Sequence, residues 1–183
     1  MRKFILIAFC FSLVACGMTE KQTQNSVLTN QNAAPVESAK TADKLKPDSS
    51  KFLSFTIGKA EVKPGSASEA AISLKIHEPY HVNSNPPSEK SFIPLEISLE
   101  NGAGLTIGKP IYPKGEPKTF TFSENKPLSV YSGEVTVKVP LKADKTAVAG
   151  QQTLNGKLTF QPCDEEVCYR PQTVDLKLPV TVN

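Results

Sequence analysis

Two cysteines near the C-terminus carry the clearest chemistry in this sequence. Cys163 and Cys168 sit in Phe160-Gln161-Pro162-Cys163-Asp164-Glu165-Glu166-Val167-Cys168-Tyr169-Arg170-Pro171, with strand-like runs on both sides. A close cysteine pair in an exported chain is either a small covalent staple or a dithiol–disulfide switch. As a staple, so short a loop contributes only about 2 kcal/mol through loss of chain entropy, and a domain of ordinary size folds on its core without it. As a switch, the pair is placed beside Asp164, Glu165 and Glu166. Negative charge next to a thiol disfavours the thiolate, so such a dithiol stays quiet until a partner docks. Tyr169 and Pro171 are candidates to shield the sulfurs. The acids also read as an ordinary solvated loop, and composition alone leaves staple and switch open.

A metal site is a third reading. His77 and His81 with Cys163 and Cys168 supply a Cys2His2 set. Pro79 between the histidines argues against the helix that would put them on one face. In a strand they stand roughly 13 Å apart. His81, in Tyr80-His81-Val82-Asn83, reads more simply as a packed strand residue. No Ser-His-Asp arrangement, Gly-rich phosphate loop or catalytic carboxylate pair is recognisable.

The reaction compartment follows from the N-terminus. Arg2 and Lys3 precede an apolar run from Phe4 to Val14, the length of an export-signal core and too short to span a bilayer. The run ends in Leu13-Val14-Ala15-Cys16-Gly17, which resembles the lipobox of bacterial lipoproteins. That resemblance implies removal of residues 1–15 and acylation of Cys16, with several acyl chains giving a stable membrane anchor. Cys10 leaves with the leader, so Cys163 and Cys168 are the cysteines left to react with each other. No other run approaches the apolar length of a membrane span. Of 21 basic residues, Arg2 and Lys3 go with the leader, leaving 19 against 18 acidic ones. A chain so nearly neutral gives no basis for nucleic-acid binding.

Residues 16–50 are polar, rich in Gln, Asn, Ser and Thr, and show no apolar period. They read as a disordered tether with a root-mean-square reach on the order of 30 Å. Residues 51–183 read as one domain of alternating strands. Ile72, Leu74 and Ile76 alternate with polar residues, as do Ile93, Leu95, Ile97 and Leu99. Val135, Val137 and Val139 form a third stripe; Val174, Leu176, Leu178, Val180 and Val182 form the cleanest. Each stripe predicts a strand with one buried face. Phe52–Ile57, Thr119–Phe122 and Thr153–Phe160 read as further strands. Pro64-Gly65, Asn101-Gly102, Lys114-Gly115, Ser132-Gly133 and Asn155-Gly156 read as turns. With no amphipathic helix longer than two turns, the domain is expected to be an all-β, antiparallel β-sandwich.

Several stretches in order also resemble a known family. They are Tyr80-His81-Val82-Asn83-Ser84-Asn85-Pro86-Pro87, Phe92-Ile93-Pro94-Leu95, Val130-Tyr131-Ser132-Gly133-Glu134-Val135, and Leu158 to Cys163 with Val167 to Pro171. Together they resemble the N-terminal periplasmic domain of the thiol:disulfide interchange protein DsbD, over most of residues 52–183. The resemblance implies an immunoglobulin-like sandwich that needs no organic cofactor or metal. It implies electron transfer between thioredoxin-like partner proteins, with Cys168 forming the mixed disulfide and Cys163 resolving it. It also implies a loop, often aromatic, that caps the pair. That loop is expected at about Lys126 to Gly133, with Leu128, Val130 and Tyr131 as covers. Asp164, Glu165 and Tyr169 are the expected active-site neighbours. On this reading the chain is membrane-anchored through Cys16, faces the periplasm and depends on a separate reductant.

Overall fold

The computed structural model describes residues 49–124 and 126–183. The expected leader, the acylated Cys16 and the tether as far as Asp48 lie outside the described residues. Ser49 and Ser50, expected at the end of the tether, form a turn that leads into the domain.

The period-two stripes form strands as expected, except that the stripe from Ile93 to Leu99 is strand only from Glu96 and leaves Ile93 36% exposed. In chain order these are β1 (Leu53–Ile57), β2 (Ala60–Val62), β3 (Ala67–Ile76), β4 (His81–Asn83), β5 (Glu96–Leu99) and β6 (Leu105–Ile107). There follow β7 (Glu116–Thr119), β8 (Pro127–Tyr131), β9 (Glu134–Ala143), β10 (Gly150–Phe160), β11 (Pro162–Cys163) and β12 (Gln172–Val182). One sheet has the order β1-β3-β9-β6 and a second β2-β12-β10-β5. The buried stripes of β3 and β9 meet those of β10 and β12 in one core. Fully burying a Leu, Ile or Val side chain contributes about 1.5–3 kcal/mol, so these stripes hold the two sheets face to face. The fold is thus an all-β sandwich; within it β2 runs parallel to β12, while the other ladders are antiparallel.

Two local expectations are corrected. Asn155-Gly156 is not a turn but lies in the middle of β10, opposite Lys177 and Leu176. Gly156 is there because a Cβ would run into the Ser98 carbonyl and Leu99 of β5. Thr119–Phe122 is not a strand: β7 stops at Thr119 and Thr121–Ser123 form one 3₁₀ turn.

A third small sheet, of order β11-β4-β8-β7, was not legible as a unit. It exists because β10 and β12 pair up to the rung Phe160–Gln172, which pins both ends of residues 161–171. The excursion between them crosses to β4, where Pro162 pairs with Val82 and Cys163 with His81.

Candidate functional site

The excursion folds on itself through its own carboxylate. Asp164 Oδ1 accepts the backbone N–H groups of Glu166 and Val167, both at 2.9 Å. Asp164 Oδ2 accepts the Tyr169 hydroxyl at 2.6 Å. The Asp164 amide donates to the Val167 carbonyl at 3.0 Å, and the Tyr169 amide to the Pro162 carbonyl at 2.8 Å. Aspartate favours such turns because its short side chain reaches backbone donors two residues on. The turn brings Cys163 and Cys168 opposite each other, with Cα atoms 4.0 Å apart and a disulfide between them.

Cys163 therefore stands in the middle of a row, with His81 on one side and Cys168 on the other. Directly opposed residues of an antiparallel ladder share a face, with Cβ atoms about 4.5–5.5 Å apart. The row is asymmetric in exposure. His81 and Cys163 are each 1% exposed, whereas Cys168 is half-buried and Val167 before it is 49% exposed. The Cys168 side of the row is the more open one.

Over this row lies the segment that joins β7 to the 3₁₀ turn. The Phe120 ring stacks on the His81 ring with centroids 3.9 Å apart and planes 14° apart. Phe122 stacks on Phe120 at 5.2 Å. Ser123 fixes this segment: its hydroxyl accepts the Phe120 amide at 3.1 Å, and its own amide donates to the Phe120 carbonyl at 3.1 Å. Two contacts tie the segment to the excursion. Lys118 Nζ lies 2.7 Å from Glu165 Oε1, and the Thr121 hydroxyl donates to the Glu165 carbonyl at 2.7 Å.

The expected cover is corrected here. Leu128, Val130 and Tyr131 belong to strand β8, not to a loop, because Val130 and Tyr131 pair with Asn83 and Val82 of β4. Leu128 and Val130 pack in the small cluster beneath Phe120. Tyr131 is buried in the sandwich core; its hydroxyl donates to the Pro113 carbonyl at 2.7 Å and accepts the Asn85 amide at 3.2 Å. The segment that reaches the cysteine excursion is Lys118–Phe122, and the signal for it was the Lys118, Phe120, Phe122 alternation beside a Ser that can cap a turn.

The electrostatics follow from these contacts. The Tyr169 hydroxyl first, and then the Glu166 and Val167 amides, hold the Asp164 carboxyl below its usual value of 3.8. The same hydrogen bond pushes Tyr169 up to about 12. Burial first, and the Lys118 ammonium second, bring His81 down to about 4, against the opposing pull of Glu165 and Asp164. The lowered value favours the neutral imidazole, and Nδ1 is buried with no hydrogen-bond partner among the described residues. His77 is engaged elsewhere, with Ser54 Oγ and the Lys51 carbonyl, each at 3.2 Å. Among the described residues no group of three or more His, Cys, Asp or Glu is arranged to hold a metal ion.

Tyr169 is braced on its other side. Its ring centroid lies 5.3 Å from Phe52 and 5.8 Å from Tyr80, and Lys51 Nζ sits 5.3 Å from it. Asp164, Glu165 and Tyr169 thus all lie in the turn that carries the pair.

Residues 51–179 match the family described as thiol:disulfide interchange protein DsbD, N-terminal. The chain belongs to that family. The structure is also similar to the N-terminal periplasmic domain of ScsB from Proteus mirabilis, at 18% identity with a TM-score of 0.50, covering 76% of this chain and 49% of that one. The reduced DsbD N-terminal domain of Neisseria meningitidis is similar at 23% identity and a TM-score of 0.46, over 78% of this chain and 94% of that one. A Neisseria meningitidis complex between the DsbD N-terminal and PilB N-terminal domains matches at 20% identity and a TM-score of 0.45, over 74% of this chain and 87% of that one. No curated protein matches the sequence. As a member of the DsbD N-terminal family, the domain carries its cysteine pair in the excursion between β10 and β12, joined as a disulfide.

Proposed function

We propose that this domain is a thiol:disulfide exchange module that passes electrons between thioredoxin-like proteins through Cys163 and Cys168. The observation that carries the reading is the asymmetry of the disulfide: Cys163 is 1% exposed and Cys168 is half-buried in the excursion of a DsbD N-terminal domain. A partner thiolate attacks the sulfur of Cys168. The Cys163–Cys168 bond breaks, a mixed disulfide forms at Cys168, and Cys163 leaves with the electron pair. In the opposite direction Cys168 attacks a partner disulfide and Cys163 resolves the product. Neither direction calls for an organic cofactor or a metal.

The reading extends to the cell envelope. Cleavage before Cys16 and its acylation would hold the domain at a membrane surface on the periplasmic side, as the Leu13-Val14-Ala15-Cys16 pattern supports.

The test is to trap partners with a Cys163→Ser chain, whose Cys168 cannot be resolved. A mixed disulfide between Cys168 and a thioredoxin-like protein supports the reading. A native pair with a reduction potential below about −300 mV, and no trapped partner, would make the disulfide a structural staple and the domain a binding or scaffold module.

A further inference from the structure

Cys163 has two cross-strand neighbours, and only one of them is bonded to it in the disulfide form. Cys168 takes its sulfur. His81, on the opposite side of the row, presents a buried ring whose Nδ1 has no partner among the described residues. A buried polar atom left unpaired is costly, and such an atom calls for a physical reason. Reduction supplies one. Once the S–S bond is broken, rotation about the Cα–Cβ bond of Cys163 frees its sulfur to leave Cys168 and turn toward the other neighbour. A thiol is a donor and a neutral imidazole nitrogen an acceptor. Cys163 is itself buried, so its thiol would otherwise be a second unpaired group.

We infer that His81 is the acceptor for the Cys163 thiol in the reduced domain, and that it thereby favours the dithiol over the disulfide. His81 is a positioning residue in this role, and the inference deepens the exchange function proposed above and rests on it. The balance is simple. Two electrons and two protons from an external dithiol convert Cys163–S–S–Cys168 into two thiols. One of the new S–H groups satisfies Nδ1. When Cys168 later holds a mixed disulfide, the Cys163 thiol leaves Nδ1 and turns back across the row to attack it. As Cys163 attacks, the Cys168–partner bond breaks, and the partner sulfur leaves with the electron pair and takes up the proton that the Cys163 thiol gives up. Burial and the Lys118 ammonium favour the neutral, accepting ring, and the stack on Phe120 fixes its plane. Lys118 on β7, with Asp164 and Glu165 on the excursion, are the charges that act on it.

Replacing His81 by Phe keeps an aromatic ring against Phe120 but removes the acceptor. It also removes the orphan from the oxidised state, so both changes push toward the disulfide. Equilibration of the full chain with dithiothreitol at fixed pH should show the constant for reduction falling about tenfold in His81→Phe, equal to about 30 mV for a two-electron couple. An unchanged constant would overturn the inference. Nitrogen-15 spectra of the wild-type ring supply a test that needs no His81 variant. The Nδ1 resonance should move upfield when the chain is reduced, and should not do so in Cys163→Ala. An Nδ1 resonance indifferent to reduction in the wild type would sink the proposal. Chemical reduction makes both measurements independent of partners. A chain that shows the His81 effect but exchanges with no thioredoxin-like protein would refute the proposed function and leave this inference standing.

Discussion

The Tyr169 hydroxyl and the Asp164 carboxylate form a 2.6 Å hydrogen bond across the base of the cysteine turn. With the two backbone N–H groups on Oδ1, it holds the turn closed by contacts that do not pass through sulfur. The turn should therefore keep its shape when the disulfide is reduced, so that Cys168 remains aimed. Tyr169→Phe or Asp164→Asn should leave the reduced turn loose. The expected outcome is slower exchange with a thioredoxin-like protein alongside faster alkylation by iodoacetamide; parallel changes in both rates would contradict it.

The same pair predicts a pH dependence. Asp164 is held below 3.8 in the folded chain, so its contribution to stability is fully present above that value. It is lost as pH falls through the lowered value, because the unfolded state then binds more protons. Thermal unfolding followed from about pH 5 down to about pH 2 should show wild type losing stability more steeply than Asp164→Asn. At the other end, Tyr169 should ionise near pH 12 by ultraviolet titration, and Asp164→Asn should return it toward 10.0.

Lys118 and Glu165 are both substantially exposed, at 43% and 56% of their side chains. Such an ion pair contributes little to stability, about 0–1 kcal/mol. Its place matters more, since it ties the Phe120 segment to the excursion. Glu165→Gln should change the unfolding free energy by less than about 1 kcal/mol and still raise the alkylation rate of the reduced pair. Salt should speed the wild type by weakening the tie and leave the variant unaffected. Equal rates in wild type and variant at low salt would show that this contact does not govern access.

Reduction itself should cost the fold about 2 kcal/mol or less, given the short loop that the disulfide closes. Urea unfolding of the reduced chain, followed by circular dichroism, should remain one cooperative β transition. Collapse of that transition under mild conditions would favour the staple.

Acylation of Cys16 is testable by mass spectrometry of the mature chain, which should begin at a lipid-modified Cys16. Cys16→Ser should then release the domain from membranes. An unmodified mature N-terminus elsewhere would refute the anchor.

The sandwich was legible because its strands carry long buried stripes; Val174 to Val182 needs no context to be read. The cysteine pair and its neighbours Asp164, Glu165 and Tyr169 were legible for a similar reason: they are close in sequence, and the turn brings them together locally. Sheet order and the third sheet were not. β4 and β11 are only three and two residues long, and their pairing joins positions about 80 apart in the chain, which no local pattern encodes. The cover was placed on Leu128, Val130 and Tyr131 because the family resemblance implies an aromatic-bearing loop ahead of the cysteines, but these residues pair as a strand. Phe120 was read as strand because alternation does not distinguish a strand end from a 3₁₀ turn closed by Ser123.

The Ser49 hydroxyl donates to Gln172 Oε1 at 3.1 Å, at the foot of the excursion, and Lys51 and Phe52 lie against Tyr169. The polypeptide thus enters the domain at the same pole as the disulfide. A displacement of the chain at Ser49 or Lys51 is therefore passed directly to Gln172 and to the Tyr169 ring, and so to the turn that holds the disulfide.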